Sequence, residues 1–372
     1  SHGNNCAGVI AAVANNSYCG VGIAYSANIS GIRILDNKLT DALKAKGLGF
    51  RQDYVDIYSN SWGPEDNGYG VAEIGVMTEK VIRKGAIEGR RGRGSMYVFG
   101  AGNGGYSKDS CSFNGLINSI YTIGITGVNK DGSVPRYGER CPGIMAVTYS
   151  KEIFTRADKI TASHYGECTD RFSGSSAATA MASGLIALAL ESNKKLSWRD
   201  MQHIIIRSSR ADGSILKAVD WITNAANLTA SNYVGFGLMD AYRLVSFAKN
   251  WTKVPPQLSY TTSSHQKNRA IPSEETLTVN ISPNNINFLE HVQVRVTLNF
   301  TRRGDLEMDL TSPSGTTSRL IQTRKRDHFT TLTNWTILTL QFWGETASGV
   351  WKLTLKNSRP ERKNIGILFD LF

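Results

Sequence analysis

RFSGSSAATAMASGLIALALESN, Arg171 to Asn193, joins a Gly-Ser-Ser turn to a run of small residues and then to an apolar helix. Ser176 falls where that helix begins, beside unpaired backbone N–H groups and the positive end of the helix dipole, where a developing oxyanion is stabilised. Taken alone, the same serine also reads as a cap in front of a buried helix. Choosing between the two requires a base, an oxyanion donor and a fitting scaffold elsewhere in the chain.

Working outward, the opening stretch SHGNNCAGVIAAVANN offers His2 ahead of small residues that suit a closely packed helix. By itself such a histidine reads as structural. Short β-rich runs alternate with helical ones over the first ~250 residues: ANISGIRIL, VDIYSNSWG, SMYVFGAGN, SIYTIGIT and GIMAVTYS each read as a strand. The pattern predicts an α/β domain with a parallel sheet flanked by helices over residues 1–254. From Pro255 the texture changes to period-two strands such as HVQVRVTLNFT, LEMDLTSP, WTILTLQFW and VWKLTLKN, which predicts an all-β sandwich over 255–372 behind a polar linker at 253–268.

The chain has 372 residues, 41% hydrophobic and 20% charged, with a net charge of +11, which suits a two-domain globular protein. No apolar run is long enough for a membrane span, and neither a signal peptide nor a membrane anchor is visible. The basic stretches RKGAIEGRRGRGS, from Arg83, and TRKRDHF, around Arg324, lack the interleaved aromatics that stack bases. Both read as solvated loops or helix ends, and no nucleic-acid partner is expected. Five cysteines, Cys6, Cys19, Cys111, Cys141 and Cys168, leave at least one thiol unpaired. Sequons at Asn15, Asn28, Asn227, Asn250, Asn280, Asn299 and Asn334 favour a glycoprotein of an oxidising, secretory compartment.

Several motifs together resemble kexin/furin-type proprotein convertases, a calcium-dependent branch of the subtilisin-like serine proteases. HGNNCAG is similar to that family's HGTRCAG, SWGPEDNG to SWGPEDDG, AGNGG to SGNGG and GSSAATA to GTSASAP. LSWRDMQHIII resembles LTWRDMQHLVV, and RRGDLEMDLTSPSGTTSRL with FWGETASGVWKLTL resembles the jelly-roll-like P domain that follows the protease.

The resemblance implies roles. Ser176 is the expected nucleophile, His2 the general base and Asn103 the oxyanion donor. Ser61, Trp62 and Gly63 are expected to pair with substrate backbone. Asp66, Asp109 and Glu139 match three calcium-binding acids, with Asp66 also facing the substrate. Val13, Asn16, Tyr18 and Gly20 match a second calcium loop. Cys19–Cys168 and Cys111–Cys141 are the implied disulfides, with Cys6 free. In this family the orienting aspartate precedes the histidine, so it is expected upstream of Ser1, and residues 1–372 alone are expected to be close to inert.

Departures from the pattern concern specificity. Lys44, Ala72 and Asn114 replace acids that line the family's cleft, and Ser175, Ala178 and Ala180 replace Thr, Ser and Pro around the nucleophile. Loss of that proline is expected to loosen the first helical turn. The reading is a calcium-dependent endoprotease that processes secretory proproteins after Arg or Lys, with relaxed specificity and its own prosegment as inhibitor, in the Golgi, secretory vesicles or outside the cell. The alternative is a weak or inactive convertase-like binding protein. Arg303-Gly304-Asp305 also spells an adhesion tripeptide, an idea that needs an exposed Asp305.

Overall fold

The computed structural model describes residues 2–36, 38–153, 160, 162–164, 167–262, 269–271, 274–283, 285–359 and 366–371, without the side chains of 162–164, 269–271 and 366–371. The last six residues of the expected linker lie outside this set. Its first ten, 253–262, form no regular element.

Four parallel strands, β1 (Ile57–Asn60), β2 (Met96–Gly100), β3 (Thr122–Val128) and β4 (Ile144–Tyr149), lie in sequence order. Every residue of β2 and β3 is buried, as strands covered on both faces must be. The helices are α1 (His2–Ala11), α2 (Asp41–Leu48), α3 (Val76–Gly92), α4 (Gly174–Ser192), α5 (Trp198–Ser208) and α6 (Ala241–Lys249). In α4, small residues on the covered side let the helix lie close to the sheet: Ala178, Ala182, Ile186 and Ala189 join Val98, Ile123 and Ile125 in one core. Two short hairpins, β5 (Ala162–His164) with β6 (Glu167–Thr169) and β7 (Ile222–Thr223) with β8 (Thr229–Ala230), complete this half.

Two expectations fail here. ANISGIRIL forms no strand: β1 bonds β2 on one side, and among the described residues no strand pairs with its other edge. A strand is held by its ladder, so alternating residues without a partner stay irregular. Ile34 packs instead on α2, where Gly47 leaves room for it. The two basic stretches are also not wholly solvated. Arg90 is buried, bonding Asp56 at 2.7 Å and the carbonyl of Leu196 at 2.9 Å, and the Arg324 side chain is 1% exposed.

The second half is a sandwich of two antiparallel four-stranded sheets. β10 (Glu274–Ile281), β15 (Gly349–Asn357), β12 (Leu306–Thr311) and β13 (Thr317–Ile321) make one. β14 (Thr331–Thr339), β11 (Val292–Phe300), β16 (Gly366–Leu371) and β9 (Arg269–Ile271) make the other. Numbered from β9 as first, the two orders are 2-7-4-5 and 6-3-8-1, the jelly-roll arrangement. WTILTLQFW leaves its strand at Thr339, and Leu340 and Trp343 enter the core of the first half. Arg303–Asp305 is a buried turn with Asp305 2% exposed, which removes the adhesion idea.

The halves meet along a polar seam. Glu290 bonds Arg199 and, at 2.7 Å, His203. Trp343 donates to His203 Nδ1 at 3.3 Å, and His291 reaches Gln202 at 2.9 Å. Burial pushes the pKa of His291 down to about 4, whereas Glu290, which burial alone would raise, is brought to about 2 by His203 and Arg199.

Candidate active site

Ser176 is the third residue of α4 and the one residue between Gly174 and Ala180 that is not buried. It is not a cap: its hydroxyl donates to the carbonyl of Ser61 at 3.5 Å, and the Ser61 hydroxyl donates back to the Ser176 carbonyl at 3.0 Å. The turn is set by Gly174, whose φ of +77° favours glycine and where a Cβ would stand 3.0 Å from Asn103 Oδ1. Ser150 holds the Gly174 carbonyl at 2.8 Å. α4 runs unbroken from Gly174 to Ser192.

Asn103 lies across the same turn. Its Oδ1 accepts the Ser175 N–H at 2.8 Å, which commits the carbonyl end of the amide and leaves the NH2 end to face the cleft. Its own backbone N–H bonds Asp66 at 3.0 Å. Backbone and side chain are thus both fixed.

His2 opens α1, which packs through Cys6, Val9 and Ile10 against Ala177, Ala180 and Met181 of α4. Its ring stands edge-on to Phe172 at 5.6 Å, with Cys6 Sγ 3.8 Å from Nδ1. Partial burial holds the imidazole below its ordinary pKa. Burial raises the Cys6 thiol, so it stays protonated. His2 and Ser176 are therefore carried by helices packed on each other, but among the described residues no hydrogen bond joins His2 to Ser176 and no carboxylate bonds the imidazole.

Ser61, Trp62 and Gly63 continue from β1 past the nucleophile. The Trp62 indole donates to Asn60 at 3.2 Å and packs nearly at right angles to the Phe99 ring, which fixes its side chain. Asn114 lies under Gly63, 3.7 Å from where a Cβ would be, and forms a bridge with Ala72. A cavity of ≈ 210 Å³ behind this edge is lined by Ala72, Asn114, Asp109 and Glu139, among others. Lys44 lies on α2 near Asp41, which caps α3 by accepting from the N–H groups of Met77 and Thr78.

Asp66, Asp109 and Glu139 are neighbours. Burial first, then the charges of Asp109 and Asp66, raises the Glu139 pKa well above the carboxylate range. Each acid is occupied by backbone: Asp66 by Asn103, Glu139 by Gly104 at 3.0 Å, Asp109 by Gly68 at 2.8 Å and Ser110 at 2.8 Å. Among the described residues no three acidic, imidazole or thiol groups close into a finished ligand shell. Their chemistry still suits a hard divalent cation: three carboxylates are neighbours, and burial together with the charges of the other two pushes the Glu139 pKa up. The expected second calcium loop is less developed: Val13 and Tyr18 are exposed, and Asn16 Oδ1 accepts the Tyr18 N–H at 3.0 Å.

Comparison with known proteins matches residues 1–237 to the subtilase family and 289–369 to the proprotein convertase P-domain. The chain belongs to the subtilase family. It is 43% identical over 372 residues to proprotein convertase subtilisin/kexin type 6 of Homo sapiens, covering 98% of this chain and 38% of that protein. It is 42% identical to Homo sapiens furin over 373 residues, covering 99% and 47%. This subtilase thus spans less than half the length of either relative. A solved serine protease of Aeromonas sobria matches at a TM-score of 0.85, covering 100% of this chain and 80% of that one; at 20% identity this speaks for the fold.

The two disulfides of the subtilase are those the resemblance implied, Cys19–Cys168 with Cα atoms 5.2 Å apart and Cys111–Cys141 at 5.4 Å, with Cys6 free. All seven sequon asparagines are exposed. The sequence reading missed the Ser175–Asn103 bond and the part played by Arg324, which donates to Asp109 at 3.1 Å. The first follows from two glycine-rich turns meeting. Nothing in the local pattern of TRKRD points to the second.

Proposed function

We propose that this subtilase is the protease and P-domain portion, divided at about residue 254, of a secretory endoprotease that cleaves proproteins after Arg or Lys. The observation that carries the reading is the clamp of Asn103 Oδ1 on the Ser175 N–H, which ties this amide to the turn next to Ser176, the one residue from Gly174 to Ala180 that is not buried. Ser176 Oγ attacks the scissile carbonyl as His2 takes its proton, and the oxyanion accepts hydrogen bonds from Asn103 and the N-terminus of α4. His2 then protonates the leaving amine, and water attacking under the same base releases the acyl group. Substrate backbone pairs along Ser61–Gly63, and Asp66 favours a basic side chain. Asp66, Asp109 and Glu139 would hold calcium, which would offset their repulsion and fix the loops bearing them. Its own prosegment, an extended peptide, would occupy the same edge.

Cleavage of a mixed peptide library by the full-length protein, with and without a calcium chelator and beside Ser176→Ala, tests this. Cuts after Arg or Lys that vanish with the mutation support it, and loss on chelation supports the calcium part. A folded protein that makes no cuts supports the second reading, a binding protein, which the engagement of Ser176 by Ser61 and the acid losses at Ala72 and Asn114 favour.

A further inference from the structure

Three arginines of the β-sandwich reach across the seam and grip the two loops that carry the acids. Arg324 donates to Gly70 O at 2.7 Å, to Tyr69 O at 3.2 Å and to Asp109 Oδ1 at 3.1 Å, backed by Asp327 and lying 3.6 Å over the Phe113 ring. Arg303 donates to Tyr69 O at 2.8 Å and Arg326 to Ser107 Oγ at 2.9 Å. Of the three, Arg324 alone bonds a member of the acid cluster, while Arg303 pairs with Asp327 at 2.8 Å. The other oxygen of Asp109 holds Gly68, two residues from Asp66, and Asp66 holds Asn103. A rigid fork can satisfy several acceptors in two loops at once, which a lysine ammonium cannot.

We propose that Arg324 is a positioning residue through which the sandwich sets the geometry of the acid cluster, and so its affinity for calcium and the seat of Asn103. This rests on the calcium part of the function proposed above. The rival account is a simple competing charge beside the acids, whose removal would tighten cation binding.

The test is calorimetric titration of the full-length protein, in a Ser176→Ala background, with calcium chloride. Arg324→Lys and Arg324→Met should both weaken binding by about tenfold or more, as loss of a group orienting a metal ligand does. Asp327→Asn, which leaves Arg324 but removes its backing, should weaken it several-fold in the same direction and covers the case where the Arg324 variants do not fold. Arg199→Met, a buried cross-seam arginine remote from the acids, should lower the melting temperature and keep parental affinity. Parental affinity in the Arg324 and Asp327 variants, tighter binding in Arg324→Met, or equal weakening in Arg199→Met overturns the proposal. A parent that binds no calcium overturns the metal assignment with it.

Discussion

The two ends of the candidate site are held in different ways. At the Ser176 end, the hydroxyl makes one hydrogen bond among the described residues, at 3.5 Å, and exposed His2 stands edge-on to Phe172 at the start of a helix that packs on the small residues of α4. At the acid end, each carboxylate is fixed by backbone N–H groups, and Arg324 reinforces Asp109 from the other domain. Asn103 belongs to both, tied to Ser175 on one side and Asp66 on the other. Electrostatic stabilisation of a transition state needs donors fixed in advance, whereas a hydroxyl must rotate as it reacts. Under the proposed function, the braced end would supply the first and the loose end would permit the second.

Substitutions should reproduce that division. In the full-length protein, Ser176→Ala should lower kcat by about 10⁶, the scale of nucleophile loss in subtilisin. Asn103→Ala should cost about 10²–10³ in kcat with KM little changed, because the amide acts on the transition state. A similar loss from both would mean that Asn103 supports the fold of the turn rather than the oxyanion, and a melting curve separates the cases.

The seam sharpens the comparison through pH. His291 has a folded pKa of about 4 against 6.5 unfolded, so between these values the unfolded chain binds more protons. Stability should therefore fall as pH drops through this window, by at most about 1.4 kcal/mol per pH unit from this group. Glu290, depressed from 4.5 to about 2, adds a further loss only below 4.5. Melting temperatures from pH 8 to 4 check this, and His291→Gln should flatten the upper part of the decline. The smallest effect belongs to Lys44→Glu. It is on α2 and is not among the residues that line the acid cavity, so it should change selection of basic residues distant from the cut several-fold and leave kcat on the best peptide unaltered.

How much of this is visible in the chain depends on whether the needed partner is near in sequence. The turn at Gly174, the helix α4 and the glycine-rich loop at Asn103 are local patterns, and they are readable as such. ANISGIRIL has the composition of a strand but no ladder to join, and composition cannot supply one. Arg90 and Arg324 look like surface charge because the groups that bury them, Leu196 for the first and Asp109 with Phe113 for the second, lie far along the chain. The jelly-roll order of the sandwich is similarly a matter of long-range pairing, although its period-two texture announces strands. Position-by-position resemblance implied the two disulfides that the structure holds and pointed to a candidate site, while the brace between the domains emerged only from the geometry.

The account depends most on Ser176 being a nucleophile rather than a helix residue. Incubation of the full-length protein with a fluorophosphonate, followed by peptide mass mapping, tests that directly. The account predicts one adduct, on Ser176, which is lost in His2→Ala. A folded protein that takes no label at Ser176, or takes it equally well without His2, would contradict it.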